Sequence, residues 1–401
     1  MAPGADRIAR IKQALEEANL EALVCTLPAN VLLLSGYWPV VGTALAVATR
    51  AGHVAILAPE DEQELAAHGR AKLVRTYQPG SLTQLTSPTA AIHAALAALL
   101  RDLGIERGRI GCEDGAAYST SSYAAMYLFQ ATIEGVLRAA APGASFTSGA
   151  APLTHLHAVL TADEADQVRT ACAIAGDAFT AAALGLRPGL REPEVAAAYQ
   201  TPLSIHGLAH AGVERAGGFV YCMSGANSAL AGGAYARTRN RELRAGDLVL
   251  VHCNSYVDGY WTDITRTYCL GEPDERQRAM YAAVSEARAA ALAAIHPGAR
   301  AAAVDRAARD VLTRRGFGDE FTHGIGHNVG FSAISAEYPP RLHPASDDVL
   351  AVGMTFNIEP AIYIKGYGGM RHCDVVTIGE RGAADVLTPF QVGMEQLVVR
   401  G

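Results

Sequence analysis

The chain has 401 residues, half of them hydrophobic, with a net charge of −7 and seven cysteines. This length predicts a globular protein of two domains. The negative charge and the lack of a dense Lys/Arg run argue against nucleic acid as a partner. No apolar stretch approaches the about 18 residues that a membrane helix needs. Charges interrupt every apolar run of the N-terminus, which argues against a signal peptide or an anchor.

The cysteines are scattered along the chain, odd in number and without a C-x-x-C pair. This pattern indicates a reducing compartment rather than a disulfide framework. We therefore expect a cytoplasmic protein in which most cysteines are small buried hydrophobic side chains.

Residues 1–150 alternate helical and strand patterns, which predicts an α/β domain. The segment 141–152 is rich in Gly, Pro and Ser and is a predicted linker. Soon after it, Thr161 and Glu164 form a predicted capping box that opens a long helix. The predicted domains are therefore 1–150 and 151–401.

Two segments of the second domain share one layout. In the first, His252 interrupts an apolar strand, a Gly-Tyr follows, and Asp263 lies on the return strand. In the second, Glu359 and Cys373 occupy the corresponding positions. An internal duplication of helix plus hairpin explains this repeat. It predicts pseudo-twofold symmetry, with a site between the two halves.

Hairpin geometry predicts that each pair faces one small volume. The midpoint of the first pair falls beside the turn residues Asp258-Gly259, and that of the second falls at Gly366. Residues equidistant from a turn lie roughly cross-strand, with Cβ atoms about 5 Å apart. Burying several uncompensated polar groups costs a few kcal/mol each, so two matching hairpins favour a functional site over ordinary core polar residues.

The segment THGIGHNVGF carries two further histidines, His323 and His327, four residues apart. On a helix this spacing would place both rings on one face. Three glycines within the segment instead favour a loop or a strand.

The motifs DGYWTDITRT, HGIGH, NIEPAIYI and RHCD together resemble the pita-bread metallopeptidases: aminopeptidase P, prolidase, methionine aminopeptidase and their metal-free relative creatinase. The resemblance covers the whole second domain. An N-terminal α/β domain of this size matches the aminopeptidase P, prolidase and creatinase branch. The resemblance implies an α/β N-terminal domain plus an α+β pita-bread C-terminal domain with pseudo-twofold internal duplication, often assembled as a homodimer.

In that family, five ligands (Asp, Asp, His, Glu and Glu) hold two divalent ions. Asp263, His327 and Glu359 match three of these ligands. His252 stands at the position of the first Asp, and Cys373 stands at the position of the last Glu. Both differences are toward softer donors.

The family also places several residues near the water or the substrate, and His323, Tyr363 and Arg371 match three of them. Two further substrate histidines of the family have no match in this chain. Their positions fall on Ile334 and on Tyr235 or Ala236.

The charge of the donors favours one metal ion over two. Asp263 and Glu359 supply two negative charges, and Cys373 supplies a third as a thiolate. Two divalent ions would leave uncompensated positive charge in a buried pocket, which disfavours a two-ion manganese or cobalt site. Imidazole and thiolate donors favour one zinc per chain. Asp263, His327, Glu359 and Cys373 would make a tetrahedral set, with His252 as a spare ligand or a partner of the ligands. If all four bind, no position stays open and the zinc is structural, whereas three ligands leave the fourth position to a water.

The residues and the resemblance together favour hydrolysis of an X-Pro bond in a dipeptide or short peptide. Glu359 or His323 would carry the proton, and Arg371 or Tyr363 would orient the substrate. One alternative is a metal-independent, creatinase-like C–N hydrolase that uses His252 and Glu359 as an acid/base pair. Another is a catalytically inactive binding or regulatory member of the family.

Overall fold

The computed structural model describes residues 5–40, 43–79, 83, 86–113, 130–335 and 337–400. The chain forms two compact units, Met1–His157 and Ala158–Gly401. Among the described residues, no helix combines the length and the apolar character that crossing a membrane requires.

The described part of the first unit contains six strands, β1 (Ala22–Cys25), β2 (Leu45–Thr49), β3 (Val54–Pro59), β4 (Leu73–Tyr77), β5 (Arg109–Cys112) and β6 (Ser145–Ser148). The helices are α1 (Ala5–Glu17), α2 (Pro28–Ser35), α3 (Gln63–Ala67), α4 (Pro88–Asp102), α5 (Gln130–Ala140) and α6 (Ala150–Ala158). The strands form one mixed sheet in the order β4-β3-β2-β1-β5-β6. Leu96, Leu99 and Leu100 of α4 belong to the same buried cluster as the central strands, which confirms the predicted α/β pattern.

The prediction of a linker at 141–152 is wrong. This segment contains β6, which pairs with β5, and the start of α6. A Cβ atom on Gly149 would lie 2.6 Å from Leu23 Cδ1. The glycine is therefore needed for close packing within the unit. Its lack of a side chain, which resembles a linker in the sequence, lets the backbone approach Leu23.

The described part of the second unit contains the helices α7 (Ala162–Ala183), α8 (Glu192–Leu208), α9 (Glu275–Ala293), α10 (Ala301–Arg314) and α11 (Met394–Leu397). The strands are β7 (Ala216–Ser224), β8 (Leu248–Val257), β9 (Tyr260–Trp261), β10 (Ile264–Leu270), β11 (Thr355–Ile358), β12 (Ala361–Ile364), β13 (Gly368–Arg371), β14 (Asp374–Ile378), β15 (Ala384–Val386) and β16 (Val398–Val399). One sheet has the order β16-β10-β8-β7, with β9 on β8, and a second has the order β11-β14-β15. The strands β12 and β13 form a separate hairpin.

The order of elements repeats within this unit, as predicted. Two helices, α7 and α8, precede the strands β7 to β10, and two more, α9 and α10, precede the strands β11 to β14. The capping box of Thr161 and Glu164 opens α7. Each half thus presents one hairpin whose buried face can carry polar groups. The hairpin of the first half consists of β8 and β10, and that of the second half consists of β11 to β14.

The two hairpins meet at Thr265 and Cys373. The backbone N–H of Cys373 donates to Thr265 O at 3.0 Å, and the N–H of Thr265 donates to Cys373 O at 3.3 Å. Arg266, which is fully buried, donates to Cys373 O at 2.7 Å and to Asp374 Oδ1 at 2.9 Å. These bonds fix the position of one hairpin relative to the other.

Candidate metal centre

The first predicted pair, His252 and Asp263, lies on the hairpin of β8 and β10. Its two-residue turn, Asp258 and Gly259, has positive φ angles of 49° and 89°, as in a type I′ turn. This turn is centred one residue later than predicted, so Thr265 and not Asp263 lies opposite His252. The prediction of direct cross-strand pairing is wrong, but the side chains share a face. His252 Nδ1 lies 3.5 Å from Asp263 Oδ1, within reach of a diagonal pair.

The second predicted pair, Glu359 and Cys373, lies between two paired sets of strands whose shared register places the two residues opposite each other. The pairing of β11 with β14 and that of β12 with β13 keep one register, which centres the hairpin on Gly366. The prediction from the midpoint is confirmed here.

The segment with the two histidines is a loop that pairs with the end of β11. His327 donates its backbone N–H to Asn357 Oδ1 at 2.7 Å, and Glu359 donates its backbone N–H to Ile325 O at 2.7 Å. A Cβ atom on Gly326 would collide with the carbonyl oxygen of Asn357. The glycine between the histidines therefore lets the loop approach the strand closely enough to place His327 beside Glu359.

Three predicted donors, Asp263, Glu359 and Cys373, converge on one buried point, and His327 lies beside the two carboxylates. Asp263 Oδ2 lies 3.4 Å from His327 Nε2, and His327 Nε2 lies 3.9 Å from Glu359 Oε1. Donor atoms of Asp263, Glu359 and Cys373 all lie within 4.8 Å of one another. Two carboxylates, one imidazole nitrogen and one sulfur are a donor set that fits a divalent cation.

The ring of His327 has the orientation that a metal ligand requires. Its Nδ1 lies 3.0 Å from the carbonyl oxygen of Asn328, which makes Nδ1 the donor, and its Nε2 accepts from Asn357 Nδ2 at 3.1 Å and lies 3.4 Å from Asp263 Oδ2. Burial alone would lower the pKa of His327, but the Asp263 and Glu359 carboxylates outweigh it and raise the pKa. The carboxylates thus attract positive charge to Nε2, whether a proton or a cation.

Asp263 stays ionised although it is buried. Burial acts to raise the pKa of this carboxyl, but His252, His327 and Arg371 outweigh that effect and lower the pKa to about 2. A permanent negative charge therefore lies at the centre of the site.

Cys373 is a thiol that needs a cation in order to ionise. Burial, and then the nearby Asp263 and Glu359 carboxylates, raise the pKa of this thiol well above its ordinary value. Its S–H donates to the carbonyl oxygen of Asp263 at 3.1 Å. Asn357 donates from Nδ2 both to Cys373 Sγ at 3.5 Å and to His327 Nε2 at 3.1 Å, and so lies between these two donors.

The expected spare ligand, His252, has both ring nitrogens bound to protein groups. Nδ1 lies 2.8 Å from a guanidinium nitrogen of Arg371 and 3.0 Å from Thr265 Oγ1. Nε2 lies 3.1 Å from Asn254 Oδ1. Burial, with a contribution from Arg371, lowers the pKa of His252 to about 4, so the ring is neutral near pH 7. Its lone pair is directed at Arg371 and not at the point where the other donors meet.

Arg371 lies inside the cluster. Besides His252, its guanidinium group contacts Thr265 Oγ1, to which Nε donates at 3.1 Å, and Glu359 Oε2 at 3.7 Å. Its side chain is buried, with 5% of it exposed. The residue expected to orient a substrate therefore contacts the proposed ligands directly.

His323 and Tyr363 form a pair beside Glu359. His323 Nε2 lies 3.0 Å from the Tyr363 hydroxyl, and Nδ1 lies 2.8 Å from Gly324 O and 4.0 Å from Glu359 Oε1. Burial lowers the pKa of His323 and raises the pKa of Tyr363 to about 12, so both side chains are neutral near pH 7. Tyr363 then donates its O–H to the Nε2 atom of His323.

Of the two candidate positions for the unmatched substrate histidine, Tyr235 contacts the site. Its ring lies edge-on to the ring of His252, with 5.0 Å between the centroids, whereas Ala236 is exposed. An aromatic side chain therefore lies beside His252, at a position where the family resemblance implies a histidine.

Sequence reasoning missed three polar residues of the site, Asn254, Thr265 and Asn357. Each lies two positions from a predicted site residue, namely His252, Asp263 or Glu359. Because side chains alternate along a strand, a spacing of two places them on the same face. That periodicity is the signal that could have identified them.

Comparisons with known proteins identify the family of the chain. A family model described as metallopeptidase family M24 matches residues 166–380, and one described as the creatinase/prolidase N-terminal domain matches residues 7–136. The Xaa-Pro dipeptidase of Pyrococcus furiosus is 36% identical over 228 residues, which is 57% of this chain and 62% of that protein. The chain thus spans less than two thirds of the length of that curated relative.

Solved structures match over nearly the whole chain. The prolidase from Pyrococcus horikoshii OT3 has a TM-score of 0.76 at 25% identity, covering 96% of this chain and 98% of that chain. The dipeptidase PepE from Mycobacterium ulcerans has a TM-score of 0.74 at 28% identity, covering 99% and 98% respectively.

Proposed function

The chain belongs to metallopeptidase family M24, with the pita-bread fold following an α/β N-terminal domain along the chain, and on that premise we propose that it hydrolyses X-Pro peptide bonds with one zinc ion per chain. The observation that carries the proposal is the convergence of Asp263, Glu359 and Cys373 on one buried point, with His327 beside the two carboxylates. The proposed substrates are dipeptides or short peptides with proline after the scissile bond, the class that the name of the Pyrococcus furiosus relative specifies.

The charges around the point support a single ion. Asp263 and Glu359 contribute two negative charges, a Cys373 thiolate contributes a third, and Arg371 contributes one positive charge within 3.7 Å of Glu359. The net charge of minus two is neutralised by one divalent cation. A second divalent ion would leave two uncompensated positive charges in a buried site, which is costly.

The donor chemistry supports zinc. A thiolate and an imidazole beside two carboxylates suit zinc better than manganese, which prefers oxygen donors. The Cys373 proton is lost when a cation takes its place, because a nearby divalent charge offsets the effects of burial and of the carboxylates that raise the thiol pKa. Zinc binding should therefore release protons.

Residues of the chain supply the proton steps. When bound, zinc polarises the scissile carbonyl and makes water more acidic. Glu359 Oε1 lies 3.9 Å from His327 and 4.0 Å from His323; with Asp263, His327 and Cys373 as the three ligands and water in the fourth position, this carboxylate would accept a proton from that water. His323, with its Nε2 held by the Tyr363 hydroxyl, lies next to this carboxylate.

The proposed reaction is a hydrolysis in which atoms balance. The water oxygen bonds to the carbonyl carbon of the residue before proline, and the C–N bond to the proline ring nitrogen breaks. Glu359 accepts one water proton and delivers it to that nitrogen as proline leaves. The products are a carboxylic acid and the proline amine; the acid then loses its remaining proton to the more basic amine, and Glu359 has returned to its starting charge.

The test combines metal analysis with a peptide panel. Protein reconstituted with zinc is assayed with X-Pro dipeptides and with X-Ala dipeptides that share the same first residue. We expect about one zinc per chain, release of proline, and a loss of about 100-fold or more in kcat for Glu359→Gln. The exposed Glu275 gives the control Glu275→Gln, which should retain activity. Failure to turn over any X-Pro peptide with zinc, manganese or cobalt would overturn the proposal and favour a binding or regulatory role.

Metal-independent hydrolysis is the second candidate, because the chain itself can neutralise both carboxylates. Arg371 lies 3.7 Å from Glu359, and a protonated His327 would lie 3.4 Å from Asp263. The same experiment separates the two candidates. Turnover that survives complete removal of metal would select this one, and turnover that is lost with the metal and regained with zinc would select the first.

We also propose a homodimer, the assembly that the family resemblance implies, in a cytoplasmic setting that suits seven buried free thiols. Light scattering on the purified chain tests the assembly, with a mass of about 84 kDa expected from two chains of 42.0 kDa each. A mass of one chain would contradict it.

A further inference from the structure

A small cavity lies between α9 and the chain segment that joins β13 to β14. Its polar lining includes Tyr281, Ser285 and Arg288 of α9, together with His372. The cavity has room for about one guest of the size of a water molecule. None of the four proposed zinc ligands lines it, so it is a place separate from the metal centre.

The ion pairs beside this cavity carry more positive than negative charge. Asp374 accepts hydrogen bonds from Arg266, at 2.9 Å, and from Arg288. Both arginines keep their protons at ordinary pH values, so one carboxylate faces two permanent positive charges. The side chain of Arg266 is fully buried and that of Arg288 is 16% exposed. One positive charge is therefore uncompensated within a largely buried cluster, which is costly.

Two groups at the cavity still have hydrogen bonds to offer. Arg266 uses its guanidinium group on Asp374 and on backbone carbonyl groups. In contrast, Arg288 donates within the described part of the chain from Nε alone, to Asp374, which leaves its two terminal nitrogens available. The ring of His372 is 6% exposed, and its buried Nε2 makes no hydrogen bond to the described residues, although Asp374 Oδ2 lies 3.4 Å away.

We propose that this cavity binds one small monovalent anion of about the size of chloride. The terminal N–H groups of Arg288 donate to the anion, with the Ser285 hydroxyl and a ring N–H of His372 as further donors. One negative charge neutralises the single excess positive charge of the cluster. A phosphate or sulfate group is too large for the cavity and carries more charge than the cluster requires.

This inference goes beyond the proposed function and does not depend on it, because neither zinc nor a peptide takes part. Arg288 belongs to α9, whereas Asp374 and His372 belong to the strand region that α9 packs against. The unfolded chain does not hold these groups together, so the anion binds the folded chain alone. Such a ligand stabilises the fold in proportion to the logarithm of its concentration once the site is filling.

The test measures the melting temperature of the full chain while sodium chloride replaces sodium gluconate at constant ionic strength. Constant ionic strength leaves the general screening of surface charges unchanged. The melting temperature of the wild type should rise by about 2–4 °C, and Arg288→Gln should lose this rise. A wild type whose melting temperature does not respond to chloride would overturn the inference and leave the cavity to water.

Arg278→Gln is the matched control. Arg278 is an exposed arginine of the same helix, paired with Glu272 at 3.3 Å, and it does not line the cavity. This variant should show the same chloride-dependent rise as the wild type. A rise that persists undiminished in Arg288→Gln would show that chloride acts elsewhere and would overturn the inference.

A second variant tests the inference if Arg288→Gln does not fold. Ser285→Glu places a carboxylate three positions before Arg288, on the same face of α9, where it can take the place of the anion. This variant should melt above the wild type in gluconate and should not respond to chloride. Ser285→Gln has a similar shape without the charge and should keep the response. Equal responses of the two Ser285 variants to chloride would overturn the inference.

Discussion

The imidazole of His252 accepts a hydrogen bond from Arg371, with 2.8 Å between Nδ1 and the guanidinium nitrogen. An arginine has no acceptor, so the ring must offer its lone pair to Arg371 and its N–H to Asn254. A polar residue in the middle of a buried strand is thus satisfied by neighbouring protein groups. His252 therefore affects a metal ion only indirectly, through the guanidinium group of Arg371.

The stability of the metal-stripped protein should depend on the charge of His252. Its folded pKa is about 4, below its ordinary value of 6.5, because of burial. The unfolded chain therefore binds this proton first. The neutral ring of His252 therefore contributes about 3 kcal/mol to the free energy of unfolding. This contribution is fully present above pH 6.5 and is lost as pH falls through about 4. Urea unfolding across this range should show a shallower loss for His252→Asn than for the wild type.

The exposed His296 provides the control for that series. His296→Asn should follow the wild type at every pH. Identical slopes for the wild type and His252→Asn would show that burial of His252 does not govern the acid sensitivity of the fold.

Cys373 should be a ligand through its sulfur. Cys373→Ser is expected to weaken zinc binding by about tenfold or more, since a soft anionic donor is replaced by a neutral hydroxyl. In the cobalt-substituted protein, the same change should abolish the sulfur-to-cobalt charge-transfer band. Cys253→Ser, at another buried thiol outside the donor set, should leave both unchanged. A wild-type spectrum without that band would exclude sulfur ligation.

Gly326 should be intolerant of any side chain. A Cβ atom there would meet the carbonyl of Asn357 and force the loop away from β11, moving His327 from the other donors. We expect Gly326→Ala to destabilise the fold by about 1–3 kcal/mol and to weaken zinc binding. The comparison is Gly233→Ala, where a Cβ meets nothing within 4 Å. Thermal melts that coincide for the two variants would contradict the close approach.

Tyr363 should affect turnover but not metal content. Tyr363→Phe removes the hydroxyl that donates to His323 Nε2 at 3.0 Å and leaves that nitrogen without this donor. We expect kcat on an X-Pro dipeptide to fall by about 100-fold with the zinc count unchanged. Tyr367→Phe removes a hydroxyl that bonds Asp274, and it should retain wild-type kcat. Loss of zinc from Tyr363→Phe would instead make this residue part of the metal site.

The capping box of Thr161 and Glu164 predicted the start of α7, whereas α6 begins inside the segment that was predicted to be a linker. The repeated layout of polar residues predicted the two hairpins. Local spacing also predicted that Glu359 and Cys373 face each other, because that hairpin is symmetric about Gly366. The register of the other hairpin was missed because the Asp-Gly turn takes a type I′ geometry, which sets the pairing one residue later.

The partner of His252 was beyond sequence reasoning for a different reason. Arg371 belongs to the other half of the unit, 119 positions further along the chain. No local pattern states which of two hairpins supplies a guanidinium group to the other. The bond depends on how the hairpins pack, and that packing is set by the backbone bonds between Thr265 and Cys373.

X-ray absorption at the zinc edge of the reconstituted wild-type protein, with the metal counted in the same sample, shows whether the site holds one zinc ion with a sulfur ligand. We expect about one zinc per chain with one sulfur at about 2.3 Å and nitrogen or oxygen donors at about 2.0–2.2 Å. Two ions per chain, or a shell of nitrogen and oxygen with no sulfur, would contradict this expectation.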